Sequence, residues 1–181
     1  MEALNPRPLH RRLSPWLVLP LAVAAASGMA YRLGRSWFGM SAATGDGILE
    51  MHAWEWLGPA GSMAAIWITG LGLLLLCWTG MKLVWQSRRR LLHAPQKPRL
   101  LHRLAGALLL LPLAATAITG VAYRTGEYAG WPEDLLDLLI SIHEGAWLGK
   151  TAKHFYVLAV GSGLLFLCFT GMRLIWGKAK R

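Results

Sequence analysis

The chain says the same thing twice. Residues 9–32, LHRRLSPWLVLPLAVAAASGMAYR, align without gaps on residues 101–124, LHRLAGALLLLPLAATAITGVAYR, with 13 of 24 positions identical. GLLLLCWTGMKLVW (72–85) matches GLLFLCFTGMRLIW (163–176) at 10 of 14 positions, and MHAWEWLG (51–58) matches IHEGAWLG (142–149). The offset is 92 in the first halves and 91 in the second, so one residue was gained or lost in a loop. An internal repeat limits the fold before any single element is assigned. The copies are 9–85 and 101–176, joined by a basic linker at 86–100, and the whole of 1–181 reads as one membrane domain.

Each copy holds two apolar segments, near 14–31 and 60–84, then near 104–123 and 153–176. Crossing a hydrocarbon core of about 30 Å takes roughly 20 such residues. Two spans per copy make both copies enter the membrane in the same direction. That predicts a pseudo-two-fold axis along the membrane normal and an all-α, four-transmembrane-helix bundle. The first segment lacks a small-residue cleavage site and has an internal copy, so it reads as a span rather than a signal peptide. Pro20 and Pro112 match and fall mid-span, where each predicts a kink. WPEDLLDLLISIH (131–143) opens with a proline and acids, both helix-start signals, and reads as a helix lying on the membrane surface; GDGILEMHAWEWLG (45–58) reads as a shorter version. Tryptophans 54, 56, 85, 131, 147 and 176 fall near the expected interfaces.

Charge orients the spans. Of 19 Lys+Arg, 14 lie on the side of the termini and linker: Arg7, Arg11, Arg12, Lys82, Arg88, Arg89, Arg90, Lys97, Arg99, Arg103, Arg173, Lys178, Lys180 and Arg181. Eight of nine acids, all but Glu2, lie on the other side. The positive-inside bias then puts both termini in the cytoplasm of a multi-pass protein of the bacterial inner membrane. Topology thus accounts for the net charge of +10, and no basic soluble face for nucleic acid is expected. Cys77 and Cys168 sit at matching span positions and read as packing residues, with a disulfide as the alternative. No CxxCH occurs, which excludes covalent c-type haem attachment.

Four of six histidines recur in register. His10 and His102 open spans one and three on the cytoplasmic side; His52 and His143 precede spans two and four on the periplasmic side. Two imidazoles at each face, related by a two-fold axis, suit two metal centres, and neutral imidazole is a common axial ligand of haem iron. His154 lies 11 residues after His143 and deeper in the span, so either His143 or His154 is the ligand on that face. His93 reads as solvated in the linker.

Every span also carries a small hydroxyl residue before a glycine: Ser27–Gly28, Thr79–Gly80, Thr119–Gly120 and Thr170–Gly171. Gly28 and Gly120 are level with the periplasmic histidines, Gly80 and Gly171 with the cytoplasmic ones. Glycine lets a flat ring approach a helix backbone, although small residues equally serve helix packing. Arg32 and Arg124 follow the periplasmic glycines, Lys82 and Arg173 the cytoplasmic ones, and Arg11 and Arg103 sit beside the cytoplasmic histidines. Arginine suits the carboxylates of haem propionates.

LHRLAG…ITG followed by IHEGAWLG…CFTGMRLIW resembles the PepSY-associated transmembrane helices of iron-regulated inner-membrane proteins and ferric-siderophore reductases. The resemblance runs over nearly all of 9–176. It implies a b-type cytochrome with two haems b, held by His10, His52, His102 and His143, that passes electrons across the bilayer. The loops are too short for the periplasmic PepSY domains of that family, which removes the expected substrate site. No Rossmann or flavin fingerprint is present, so the chain reads as an electron-transfer subunit that needs a redox partner protein or quinone, within a larger membrane complex if one exists. The competing class is a non-redox scaffold or assembly subunit whose histidines only hydrogen-bond.

Overall fold

The computed structural model describes residues 5–86 and 97–179; most of the linker, with Arg88, Arg89, Arg90 and His93, and the terminal Lys180 and Arg181 lie outside the described residues. Among the described residues there are seven α-helices and no strand. They are α1 (Pro6–Trp37), α2 (Ala42–His52), α3 (Gly58–Gln86), α4 (Lys97–Leu108), α5 (Leu110–Ala129), α6 (Glu133–His143) and α7 (Ala152–Ala179). Short 3₁₀ helices at Glu55–Leu57 and Ala146–Leu148 lead into α3 and α7.

Local chemistry sets the helix starts. The Asn5 side chain accepts from the Arg7 amide, with Pro6 at the first helical position. The Ser41 hydroxyl accepts from the Thr44 amide to open α2, and α6 follows Pro132 with Glu133 and Asp134 in its first turn. α3 and α7 carry apolar side chains on every side over most of their length, the pattern of a helix that meets lipid or protein all round.

Three helices are long and apolar enough to cross a membrane, and four spans result if α4 and α5 count as one broken span. That pair bends by 54° at Leu109. Pro112 has no N–H for the Leu108 carbonyl, so the helix yields there. α1 carries Pro15 and Pro20 yet runs as one helix of 32 residues. The expected pair of kinks is therefore one break in the second copy and none that ends α1 in the first.

α1 touches α3 and α7, and α3 touches α4 and α5, while among the described residues no Cα of α3 comes within 8 Å of one in α7. α3 and α7 are thus diagonal neighbours, as are α1 and α5. The core between them is Leu17, Leu21, Ala25, Leu73, Leu113, Ala117, Val160 and Leu164. Its contacts come in repeat-matched pairs. Leu17 fills the notch of Gly72, and Leu109 that of Gly163, within each copy. Val121 fills Gly70, and Met29 fills Gly161, between copies. Outside, large apolar side chains such as Trp16, Leu108 and Leu111 stand 84%, 81% and 78% exposed, a surface suited to contact with a lipid bilayer.

α2 and α6 correct the surface-helix expectation. Both have 11 residues, so neither is the shorter version. Gly45 lies against Tyr31 and Arg35, while His52, at the far end of α2, reaches Ala24 and Gly28. α2 therefore folds back antiparallel along α1. α6 does the same along α5: Leu136 meets Gly126, and His143 meets Gly120 and Thr116. Each then turns identically. The second residue beyond the histidine is left-handed in both copies, Trp54 (φ 59°) and Gly145 (φ 70°), and Gly58 and Gly149 have positive φ where the 3₁₀ helices end.

Candidate metal centres

The helical hairpins bring four histidines together as two pairs. The rings of His10 and His102 have centroids 6.5 Å apart at 77°; those of His52 and His143 are 6.2 Å apart at 73°. His10 and His102 project from α1 and α4, on opposite corners of the bundle. His52 and His143 are the last residues of α2 and α6 and close the loop end.

Each imidazole is seated by its own copy through Nδ1. The Thr79 hydroxyl lies 2.7 Å from the Leu75 carbonyl and 2.8 Å from His10 Nδ1, so it can accept from that nitrogen while donating to the carbonyl. Thr170 stands 2.7 Å from the Phe166 carbonyl and 2.8 Å from His102 Nδ1 in the same way. His52 Nδ1 donates to the Ala24 carbonyl at 3.0 Å and lies 3.1 Å from Ser27 Oγ. His143 Nδ1 donates to the Thr116 carbonyl at 3.0 Å. His52 and His143 therefore carry their proton on Nδ1 and present Nε2 as the lone pair, and the hydroxyl partners of His10 and His102 allow the same tautomer. Among the described residues no hydrogen bond reaches any of those four Nε2 atoms.

The glycines make room for the imidazoles themselves. A Cβ on Gly28 would stand 3.2 Å from His52 Cε1, on Gly120 2.9 Å from His143 Cε1, on Gly171 3.3 Å from His102 Cε1, and on Gly80 3.7 Å from His10 Cε1. The hydroxyl–glycine step is thus a seat: one residue helps fix the ring nitrogen or its turn, the next lets the ring lie on the backbone. Burial pushes the His143 imidazole down to about 4, with the charge of His52 adding. It lowers His52 as well, against the bond to Ala24. Both stay neutral at ordinary pH, the state in which imidazole is a ligand.

At the other end a cavity of about 530 Å³ opens beside His10 and His102. Repeat-matched residues line it: Gly80 with Gly171, Cys77 with Cys168, Arg11 with Arg103, and Arg7 with Arg99. Lys82 instead lies over the Trp78 ring, 4.2 Å from its centroid, and Arg173 is exposed. Cys77 and Cys168 are free thiols. They sit on α3 and α7, whose Cα atoms keep more than 8 Å apart, beyond the roughly 7 Å limit of a disulfide.

Arg32 and Arg124, expected at propionates, are placed on carboxylates of the chain itself. Arg32 pairs with Glu144, and Arg124 with Glu55 at 3.1 Å and Glu127 at 2.6 Å. His154 is not brought into either pair. Its Nδ1 lies 3.2 Å from Ser36 Oγ, and its ring packs on Trp37 with centroids 6.1 Å apart.

Sequence reasoning missed four features. The Ala24 and Thr116 carbonyls are repeat-matched acceptors but have no side-chain signature. Arg7 and Arg99 did carry a signal, their offset of 92. Glu144 and Glu55 carried none, because their counterparts in the other copy are Ala53 and Ala146. Ser62, fully buried, bonds the Ala53 carbonyl at 2.7 Å beside His52.

Comparison of the chain with family models, with curated proteins and with solved structures finds no match.

Proposed function

We propose that the chain is a di-haem b-type membrane cytochrome, a four-span bundle with a pseudo-two-fold axis along the membrane normal. It would relay electrons as a subunit or partner of a redox system, as its resemblance to PepSY-associated transmembrane helices implies. The observation that carries this reading is the shared anchoring of four paired histidines through Nδ1. A metal-bound imidazole donates its other ring N–H to a fixed acceptor, and all four rings here set Nδ1 against a threonine hydroxyl or a backbone carbonyl.

The spacing fits the group. The ring centroids of the two pairs stand 6.5 and 6.2 Å apart, close enough for the imidazoles of each pair to share one metal. Each pair offers two ligands, and among the described residues no group of three or more His, Cys, Asp or Glu gathers into an all-protein metal cage. His10 and His102 would hold one haem and His52 and His143 the other, with Arg7, Arg11, Arg99 and Arg103 facing the carboxylates of the first. One-electron exchange is the chemistry a haem b supplies when bound. The chain's own residues would orient the rings and keep the loop-end pair neutral.

On α1 the two levels, His10 and the Gly28 seat, are 18 residues apart, roughly 27 Å of helix. That spans most of a bilayer core of about 30 Å, so electrons would pass between its faces. The basic excess at the His10 end supports an inner-membrane protein with both termini in the cytoplasm. A quinone or a redox protein would exchange electrons with it. The segments between spans hold α2, α6 and the 3₁₀ turns, so a siderophore site would have to come from a partner.

Purified from haem-replete cells, the protein should be red, with two haems per chain by pyridine haemochrome. His10→Ala and His102→Ala should each remove the same centre, His52→Ala and His143→Ala the other, and His154→Ala neither. A colourless protein would instead support the non-redox scaffold, in which the histidines only hydrogen-bond.

A further inference from the structure

The ion pairs at the loop end run crosswise between the copies. Arg32 belongs to α1, the helix that seats His52, yet it grips Glu144, the residue after His143. Arg124 belongs to α5, the helix that seats His143, yet it grips Glu55, three residues after His52. Arg124 also reaches the Ser62 hydroxyl at 3.4 Å, which itself bonds the Ala53 carbonyl next to His52. Lys153 adds a second cation to Glu144 at 3.8 Å. The acids are not repeat-matched, but the connection is made in both copies.

Stability does not explain the Arg124–Glu55 pair. Arg124 and Glu55 are 24% and 43% exposed, and such pairs contribute little to folding. Their effect lies in geometry. Each imidazole is bonded only to its own copy, so nothing in those bonds fixes the distance from His52 to His143. The packing of Met29 on Gly161 and of Val121 on Gly70 sets how the two seats stand, and the two arginines tie each histidine turn to the seat of the other.

We infer that Arg32 and Arg124 are positioning residues, which hold the His52 and His143 rings at metal-bridging separation through Glu144 and Glu55. The inference rests on the reading of His52 and His143 as one ligand pair. It predicts that the loop-end centre depends on these carboxylates while the His10–His102 centre does not.

The test has a haem-free arm and a haem-loaded arm. In full-length protein carrying Cys77→Ala, Cys168→Ala, His52→Cys and His143→Cys, a short bifunctional thiol reagent should cross-link the two introduced thiols rapidly without haem. Adding Glu55→Gln and Glu144→Gln should slow that reaction several-fold, whereas Arg32→Lys and Arg124→Lys should largely preserve it. In haem-loaded protein with all histidines present, Glu144→Gln should shift the midpoint potential and low-spin ferric resonance of the loop-end centre alone. Where the double glutamine variant fails to fold, Arg124→Gln, Glu55→Gln and their combination replace it, and the combination should do no more than either alone. Unchanged cross-linking, where the parent with all its histidines loads two haems, overturns the clamp. Slowed cross-linking in a protein that never takes haem supports the clamp and sinks the haem reading.

Discussion

The Thr79 hydroxyl stands 2.7 Å from the Leu75 carbonyl and 2.8 Å from His10 Nδ1, placed to donate to the first and accept from the second. A threonine about two turns from a helix end thereby anchors one nitrogen of a histidine on another helix and leaves the other free. Thr170 and His102 repeat the relationship at 2.8 Å, so it belongs to the design of the copy rather than to one position.

Thr79→Val keeps the shape of the side chain and removes the acceptor. Loss of such a partner behind a metal-bound imidazole typically weakens metal affinity by about 10–100-fold. Haem titration of the His10–His102 centre should show a loss of that order for Thr79→Val and for Thr170→Val. Thr79→Ser should retain tight binding, because its hydroxyl can make the same pair of bonds. Equal haem affinity in Thr79→Val and the parent would remove Thr79 from the site.

The four glycine seats differ in tightness, which separates them experimentally. A Cβ at Gly120 would stand 2.9 Å from His143, closer than real contacts allow, whereas one at Gly80 would stand 3.7 Å from His10, an ordinary contact. Gly120→Ala should displace the His143 ring and lose the loop-end centre from the reduced spectrum. Gly80→Ala should keep both centres. The reverse order would mean that the glycines serve only helix packing.

The turn after each histidine gives a stability prediction that needs no cofactor. Gly145 has φ 70°, and a Cβ there would run into the Tyr156 ring. Gly145→Ala should cost about 1–2 kcal/mol for the left-handed backbone alone and more for the collision, read as a lower Tm in detergent. Trp54 holds the same conformation at φ 59° with a side chain attached. Trp54→Gly should fall well short of that loss, since relief of backbone strain offsets the lost contact with Trp56, whose ring centroid is 6.1 Å away.

The sequence by itself determined the helical plan and which residues stand level with which. Apolar runs of span length, and a second copy of each, put His10 level with Gly80 and His52 level with Gly28, because position along a helix is simple arithmetic at about 1.5 Å per residue. Side-chain identity repeated in register was enough to find the histidines, the hydroxyls and the glycines. Only the tertiary structure decided what those residues meet. It folded α2 and α6 back along α1 and α5, turned the glycine surfaces into seats for imidazole, drew His52 to His143 and left His154 on Ser36 and Trp37. It also chose acceptors with no sequence signature, the carbonyls of Ala24 and Thr116, since every residue has one. The pairs Arg32–Glu144 and Arg124–Glu55 lay hidden for a related reason. Each joins one copy to the other, and the acid that closes it stands at a different place in each turn, so what is kept is a distance in space between packed helices and not a position in the chain.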